Sequence, residues 1–127
     1  MKIAHLLERA RRTANSAKLL LDAGDMRSAC NRVYYAMFDA ARAALLADAD
    51  NAKPDGIKTH AGIVSAFSLH LIKPGLLPVN LGKDLSRVDQ IRLAADYSDE
   101  DIDQDTAARA VQQAQAFVDA IGEYLRL

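Results

Sequence analysis

The sequence has no tryptophan, a single cysteine (Cys30), three prolines and six glycines among its 127 residues. A lone cysteine excludes an internal disulfide and makes an intracellular, cytoplasmic setting the natural expectation. With so few prolines and glycines, regular structure has few places where it must stop. β-branched runs are also scarce, whereas alanine is abundant, so helix propensity is high almost throughout. No apolar run approaches the roughly 20 residues that a bilayer-crossing helix needs. The opening stretch Met1–Glu8 meets charge too early for a secretory signal, and no membrane association is expected. Neither sign of charge dominates: sixteen Lys and Arg stand against seventeen Asp and Glu, a formal net charge of −1. A protein that held nucleic acid through overall charge would carry a basic surplus, so any such contact here must come from a local cluster. A phosphate-cradling glycine loop, a zinc-ligand cluster and a Gly-x-Ser-x-Gly elbow are all missing. The three histidines, His5, His60 and His70, fall in different predicted helices with no i,i+4 pair. No metal and no cofactor is expected.

What is present is apolar content, half of all residues, enough for one core in one domain over residues 1–127. Its spacing is helical. Leu6, Ala10, Ala14, Ala17 and Leu21 share one face of a predicted helix from about Ile3 to Ala23. Gly24 suits a helix C-terminus, and Asp25 can cap the helix that follows. That second helix, about Asp25 to Ala49, is apolar around most of its circumference and so belongs in the middle of a bundle. Pro54-Asp55-Gly56 marks a turn. A third helix is predicted over about Thr59 to Ile72 and is broken by Pro74-Gly75. Leu76 to Gly82, interrupted by Pro78, reads as a packed loop. A fourth helix covers about Lys83 to Tyr97, Ser98–Asp101 is an acidic connector, and a fifth covers about Thr106 to Leu125. Long helices joined by short turns imply an all-α, antiparallel up-and-down bundle of four to five helices.

Three features carry chemistry. On the second helix Arg32, Tyr35, Asp39 and Arg42 fall on one side of the helical wheel. A polar stripe on so apolar a helix must be paired, because a buried unpaired charge is costly. Asp39 is expected to bridge to Arg42 or Arg32, or to help form a site. At the start of the third helix, Lys58-Thr59-His60 offers free backbone N–H groups beside a lysine, a place that suits a phosphate, although Thr59 also makes an ordinary cap. On the fourth helix, Arg92 and Asp96 are i,i+4 neighbours and Tyr97 follows, about 140° around from Arg92. Pairing the charged faces of the second and fourth helices would gather Arg32, Asp39, Arg92 and Asp96 into one cluster. Phe38, Phe67, Leu69 and Leu76-Leu77 are candidates for an apolar contact patch between two copies.

In this order and placement, Arg32-x-Tyr34-Tyr35-Ala36-Met37-Phe38, Lys58-Thr59-His60, Arg92-x-x-x-Asp96-Tyr97 and Ala114-x-x-Phe117-Val118 resemble the HEPN family (higher eukaryotes and prokaryotes nucleotide-binding domain) over essentially the whole chain. The resemblance implies a helical bundle that forms homodimers, with polar residues of the second and fourth helices lining a groove near the dimer axis. It also implies a partner, because relatives are often encoded beside a minimal nucleotidyltransferase, many such pairs being toxin–antitoxin systems in which the HEPN protein is a metal-independent endoribonuclease. That activity is carried in the family by an Arg-x4–6-His motif. Arg92 matches its arginine, Tyr97 stands at the histidine's place, and no histidine follows. Histidine exchanges protons near neutral pH, whereas a tyrosine phenol, with a pKa of about 10, does so poorly. The resemblance therefore implies a nucleotide- or RNA-binding partner subunit rather than a strong nuclease. Arg32, Lys58 and Arg92 would hold phosphate, Tyr35 and Tyr97 would stack or hydrogen-bond, and Asp39, Arg42, His60 and Asp96 would complete the site. The alternatives are an endoribonuclease toxin, in which Arg92 stabilises the cleaving phosphate and Tyr97 or His60 moves the proton, and a purely structural helical dimer.

Overall fold

The computed structural model describes residues 2–48, 56–57, 59–97 and 101–127, with Asp96 defined by its backbone alone. The turn expected over 51–55, Lys58 and residues 98–100 lie outside the described residues.

Among the described residues all regular structure is helical, in five helices: α1 (Lys2–Asp22), α2 (Met26–Ala47), α3 (His60–Phe67), α4 (Val79–Tyr97) and α5 (Gln104–Leu125). No strand occurs among them, and the expected all-α bundle is what the chain forms. The α1–α2 connection follows from two residues. Gly24 adopts φ +84°, which lets the Gly24 N–H reach the Leu21 carbonyl at 3.0 Å and the Asp25 N–H reach that of Leu20 at 2.9 Å. This double hydrogen bond closes one helix end, and the Asp25 carboxylate then accepts from the Ser28 N–H at 3.2 Å to open the next. The turn is so short that α1 and α2 must lie side by side in opposite directions.

The middle of the bundle is α2, which packs against every other helix. Ala36, Met37 and Ala40 are fully buried, as its near-continuous apolar surface requires. Its alanines (Ala29, Ala36, Ala40, Ala41, Ala43 and Ala44 are all buried) let neighbouring backbones come close. α1 and α5 pack on α2 and on each other. Burying each large apolar side chain in this core stabilises it by roughly 1.5–3 kcal/mol relative to exposure.

Two expectations need correction. α4 starts at Val79, four residues before Lys83, so the segment read as a packed loop is partly helix. Pro78 fixes φ near the helical value and lacks an N–H that a first turn would leave unused anyway; its carbonyl accepts from Leu81 N–H at 3.1 Å. Proline opens this helix rather than breaking it. The apolar patch is also divided. Phe67 and Leu77 are buried in the core, with the Phe67 ring 5.5 Å from that of Phe117 on α5. Phe38 is half-buried, and only Leu69 and Leu76 stay exposed. α3 continues into one wider turn over Ser68–Ile72, in which the Lys73 N–H donates to Ser68 O at 2.8 Å. The π-type turn places Leu71 in the core while Leu69 faces out.

No helix among the described residues is long and apolar enough to cross a membrane.

Candidate functional site

The start of α2 and the end of α4 enclose a groove of about 550 Å³, lined among others by Arg27, Cys30, Asn31, Arg32, Arg92 and Ala95. The two arginines that the sequence assigned to phosphate, Arg32 and Arg92, thus share one groove although they lie on different helices. Arg27 and Asn31 were not expected there. They belong to the same α2 face one turn earlier, where a polar residue in the first turns of a helix reads as ordinary solvated surface. The Arg27 guanidinium donates to the Ala95 carbonyl and ties the first turn of α2 to the last turns of α4. Arg32 donates to Asn31 Oδ1 at 2.6 Å, and its guanidinium carbon lies 5.6 Å from the Tyr35 ring centroid, within cation–π range. Cys30 forms apolar floor: it is buried, and burial pushes its thiol pKa up, away from the reactive thiolate.

Behind the groove sits an aromatic cluster. Tyr34 is fully buried. Its ring meets Tyr35 edge-on at 5.3 Å, stacks with Phe38 at 5.9 Å and touches the His60 ring at 5.2 Å. His60 also packs on Phe38, at 4.7 Å. It is presented by the first turn of α3, where Thr59 Oγ1 accepts from Gly62 N–H at 2.9 Å, the cap expected from the sequence. Arg92 bears on this cluster with its guanidinium carbon 4.6 Å from the Tyr34 ring centroid and its Nη2 3.4 Å from Asp89 Oδ1. Burial pushes the Tyr34 phenol pKa well up, and the Asp89 carboxylate raises it further while the Arg92 charge opposes both. Tyr34 is therefore a neutral group at any physiological pH.

Asp39 does not belong to this site. Its buried carboxylate is held by Arg9 of α1, with Nε 2.8 Å from Oδ2 and Nη2 2.9 Å from Oδ1. Neither Arg32 nor Arg42 is its partner in that fork. The helical wheel placed Asp39 on the Arg32 side of α2, but two turns, about 10 Å along the axis, separate them, and α1 docks at the Asp39 level. The carboxylate in turn raises the Arg9 pKa, first through the hydrogen bonds and then through its charge. Arg42, half-buried further along α2, does not line the groove. On α4 the acidic neighbour of Arg92 is Asp89, one turn before it, whereas the expected Asp96 partner has no described side chain. Tyr97 is 87% exposed at the last residue of α4 and does not line the groove. The helix stays regular to that point, so Tyr97 keeps its place well around the axis from Arg92. Lys58 lies outside the described residues.

Among the described residues no three His, Cys, Asp or Glu side chains gather as a metal site would require. The chemistry on offer is that of cations and aromatic faces: guanidinium groups that pair with phosphate oxygens, beside rings on which a base can stack.

An all-helical domain with an arginine-lined groove between two of its helices is the setting in which the comparisons with known proteins fall. The chain belongs to the HEPN family, with residues 3–124 matching the HEPN domain. It is 33% identical over 120 residues to the UPF0332 protein of Thermotoga maritima, spanning 94% of this chain and 87% of that one. It is 31% identical over 125 residues to a protein of Methanocaldococcus jannaschii that carries the name "Putative toxin", spanning 98% of this chain and 90% of the relative. A UPF0332 protein of Gloeobacter violaceus is 31% identical over 122 residues, spanning 94% and 93%.

Proposed function

We propose that this HEPN-family protein is the toxin-like, RNA-binding subunit of a cytoplasmic two-protein module whose other member is a minimal nucleotidyltransferase, and that it acts as a homodimer. The observation that carries the binding role is the meeting of three guanidinium groups, those of Arg27, Arg32 and Arg92, around one groove in a chain of net charge −1. The rest of the surface is net acidic, so an RNA backbone would be drawn to this place and repelled elsewhere. The groove volume lies within the roughly 300–1,000 Å³ of small-molecule sites, room for about one nucleotide unit, and Tyr35 beside Arg32 provides a face for a base. The toxin-like and partner roles draw on family membership and on the name of the Methanocaldococcus jannaschii relative.

The test is fluorescence anisotropy with a short labelled single-stranded RNA. Hydrogen bonds to charged groups contribute about 1.5–3 kcal/mol, so Arg32→Ala and Arg92→Ala should each weaken binding about tenfold or more. Three phosphate contacts give a slope of log affinity against log salt of about −2, which one arginine removal should lower by roughly 0.7. Variants that bind like the wild type, with an unchanged slope, refute the groove as the RNA site. Displacement of the RNA by micromolar ATP would assign the groove to a free nucleotide instead. Light scattering that finds only a 13.8 kDa species refutes the homodimer, and failure to co-purify with a co-expressed minimal nucleotidyltransferase refutes the module.

A second reading, a metal-independent endoribonuclease, is favoured by one observation: His60 packs on the same Tyr34 ring that Arg92 covers. Cleavage of RNA in EDTA that is lost in both His60→Ala and Arg92→Ala would establish it. We favour binding, because Tyr97 is exposed at the end of α4 rather than set into the groove beside Arg92.

A further inference from the structure

We infer that Tyr34 is the positioning residue for Arg92: its buried ring is the platform that holds the guanidinium at the groove, although Tyr34 does not line the groove itself. This rests on the groove being a phosphate site. A long side chain such as arginine has about 2 kcal/mol of rotamer entropy to lose, and a site that holds it in place beforehand binds more tightly. Arg92 has two such restraints in view. One is the Asp89 carboxylate on its own helix, at 3.4 Å. The other is the Tyr34 ring on α2, at 4.6 Å from the guanidinium carbon.

The ring suits this task because it cannot turn away. Phe38 stacks on it at an interplanar angle of 26°, Tyr35 meets it edge-on at 76°, His60 lies against it, and the residue has no exposed surface. An aromatic face attracts a cation without adding a negative charge. A second carboxylate in its place would cancel the positive potential on which an anion site depends. The phenol oxygen takes no part, since among the described residues it makes no hydrogen bond. The ring is the working portion of the side chain, and phenylalanine should serve as well.

The experiment is a double-mutant cycle read by anisotropy with the same labelled single-stranded RNA, each variant first checked by thermal melting. Tyr34→Phe should bind within twofold of the wild type. Tyr34→Leu, which removes the ring, should bind on the order of fivefold more weakly. In an Arg92→Ala background the same Leu substitution should have no further effect, an outcome that general loosening of the fold would not produce. Should Tyr34→Leu fail to fold, the NMR shifts of the Arg92 δ-methylene protons in the wild type and in Tyr34→Phe decide the matter, because a ring at this distance must move them upfield. The inference is overturned if Tyr34→Leu binds as the wild type does, if its loss persists undiminished without Arg92, if Phe is as poor as Leu, or if the upfield shift is missing. A wild type that binds no RNA overturns the phosphate-site reading and this inference with it, whereas RNA binding that depends on Arg92 but not on the ring overturns the inference alone.

Discussion

Replacing Arg9 by methionine should destabilise the fold far more than the loss of an ordinary surface charge, without affecting the groove. The Arg9 side chain is 47% exposed, which invites its dismissal as a surface residue, but the Asp39 side chain that it clamps is only 9% exposed. Both carboxylate oxygens are engaged by the guanidinium fork. Methionine keeps the aliphatic stem against α2 and removes the fork, leaving a carboxylate in an apolar helix interface. Removing one partner of a fully buried pair costs about 3–5 kcal/mol, whereas an exposed pair is worth 0–1 kcal/mol. With one partner buried and the other half in water, about 2–3 kcal/mol is the expected loss. An unfolding entropy of about 2.1 cal/mol/K per residue amounts to roughly 0.27 kcal/mol/K for this chain, so the melting temperature should fall by about 7–11 °C. The assay is thermal and urea unfolding followed by circular dichroism. Asp39→Leu added to Arg9→Met should recover much of the loss, since an apolar pair in place of a buried ionic one is often neutral. A fall of less than about 2 °C for Arg9→Met, the behaviour of an exposed pair, or a double variant weaker than the single one, would refute this account of Asp39. RNA affinity should not change in either variant.

Two further predictions concern helix starts. Asp103 caps α5 by accepting from the Thr106 N–H at 2.7 Å, and those hydrogen bonds, to backbone first and side chain second, lower its pKa from the ordinary aspartate value. A carboxylate whose folded pKa is depressed stabilises the fold above its unfolded pKa and loses that contribution as pH falls through the folded value. Asp103→Ala should therefore melt earlier than the wild type at neutral pH, and the gap should close in strong acid; a gap that stays constant down to pH about 2 would contradict the cap. Gly62→Ala should destabilise, whereas alanine for glycine inside a helix ordinarily stabilises by up to about 1 kcal/mol. A Cβ there would lie 2.6 Å from Ile57 Cγ2 and 2.9 Å from Thr59 Oγ1, the very oxygen that caps α3. A higher melting temperature for Gly62→Ala would sink this reasoning.

The helices were legible because their ends are written in single residues. Gly24 with Asp25, and Thr59, each announce a boundary through side-chain or φ chemistry that acts over only three or four residues. Pro78 misled because one residue type either stops or opens a helix, depending on whether the N–H it lacks would have had a partner. The groove was legible in part, since Arg32 and Arg92 stand out against apolar surroundings, and the structure does bring them together. Arg27 and Asn31 were not, and neither was the Arg9–Asp39 fork. Periodicity states which residues of one helix share a face, but not which neighbour docks there or at what height. Phe67 and Leu77 were placed on the surface for the same reason: their burial is decided by α5 and by the turn after α3, not by their own segment.

The wide turn at Ser68–Ile72 makes the chain sensitive to length rather than to composition. A hydrogen bond that spans five residues instead of four holds one residue more than an α-helix would need. Deleting any residue of that stretch would let the helix close in the ordinary way and stay continuous. It would also rotate all that follows by about 100° and draw it back by about 1.5 Å, swinging Leu77 and Leu81 away from the core and carrying α4, with Arg92, out of step with α2. Substitutions at the exposed Ser68 or Leu69 should pass almost unnoticed, but the loss of either as a unit of length would dismantle the groove some twenty residues downstream.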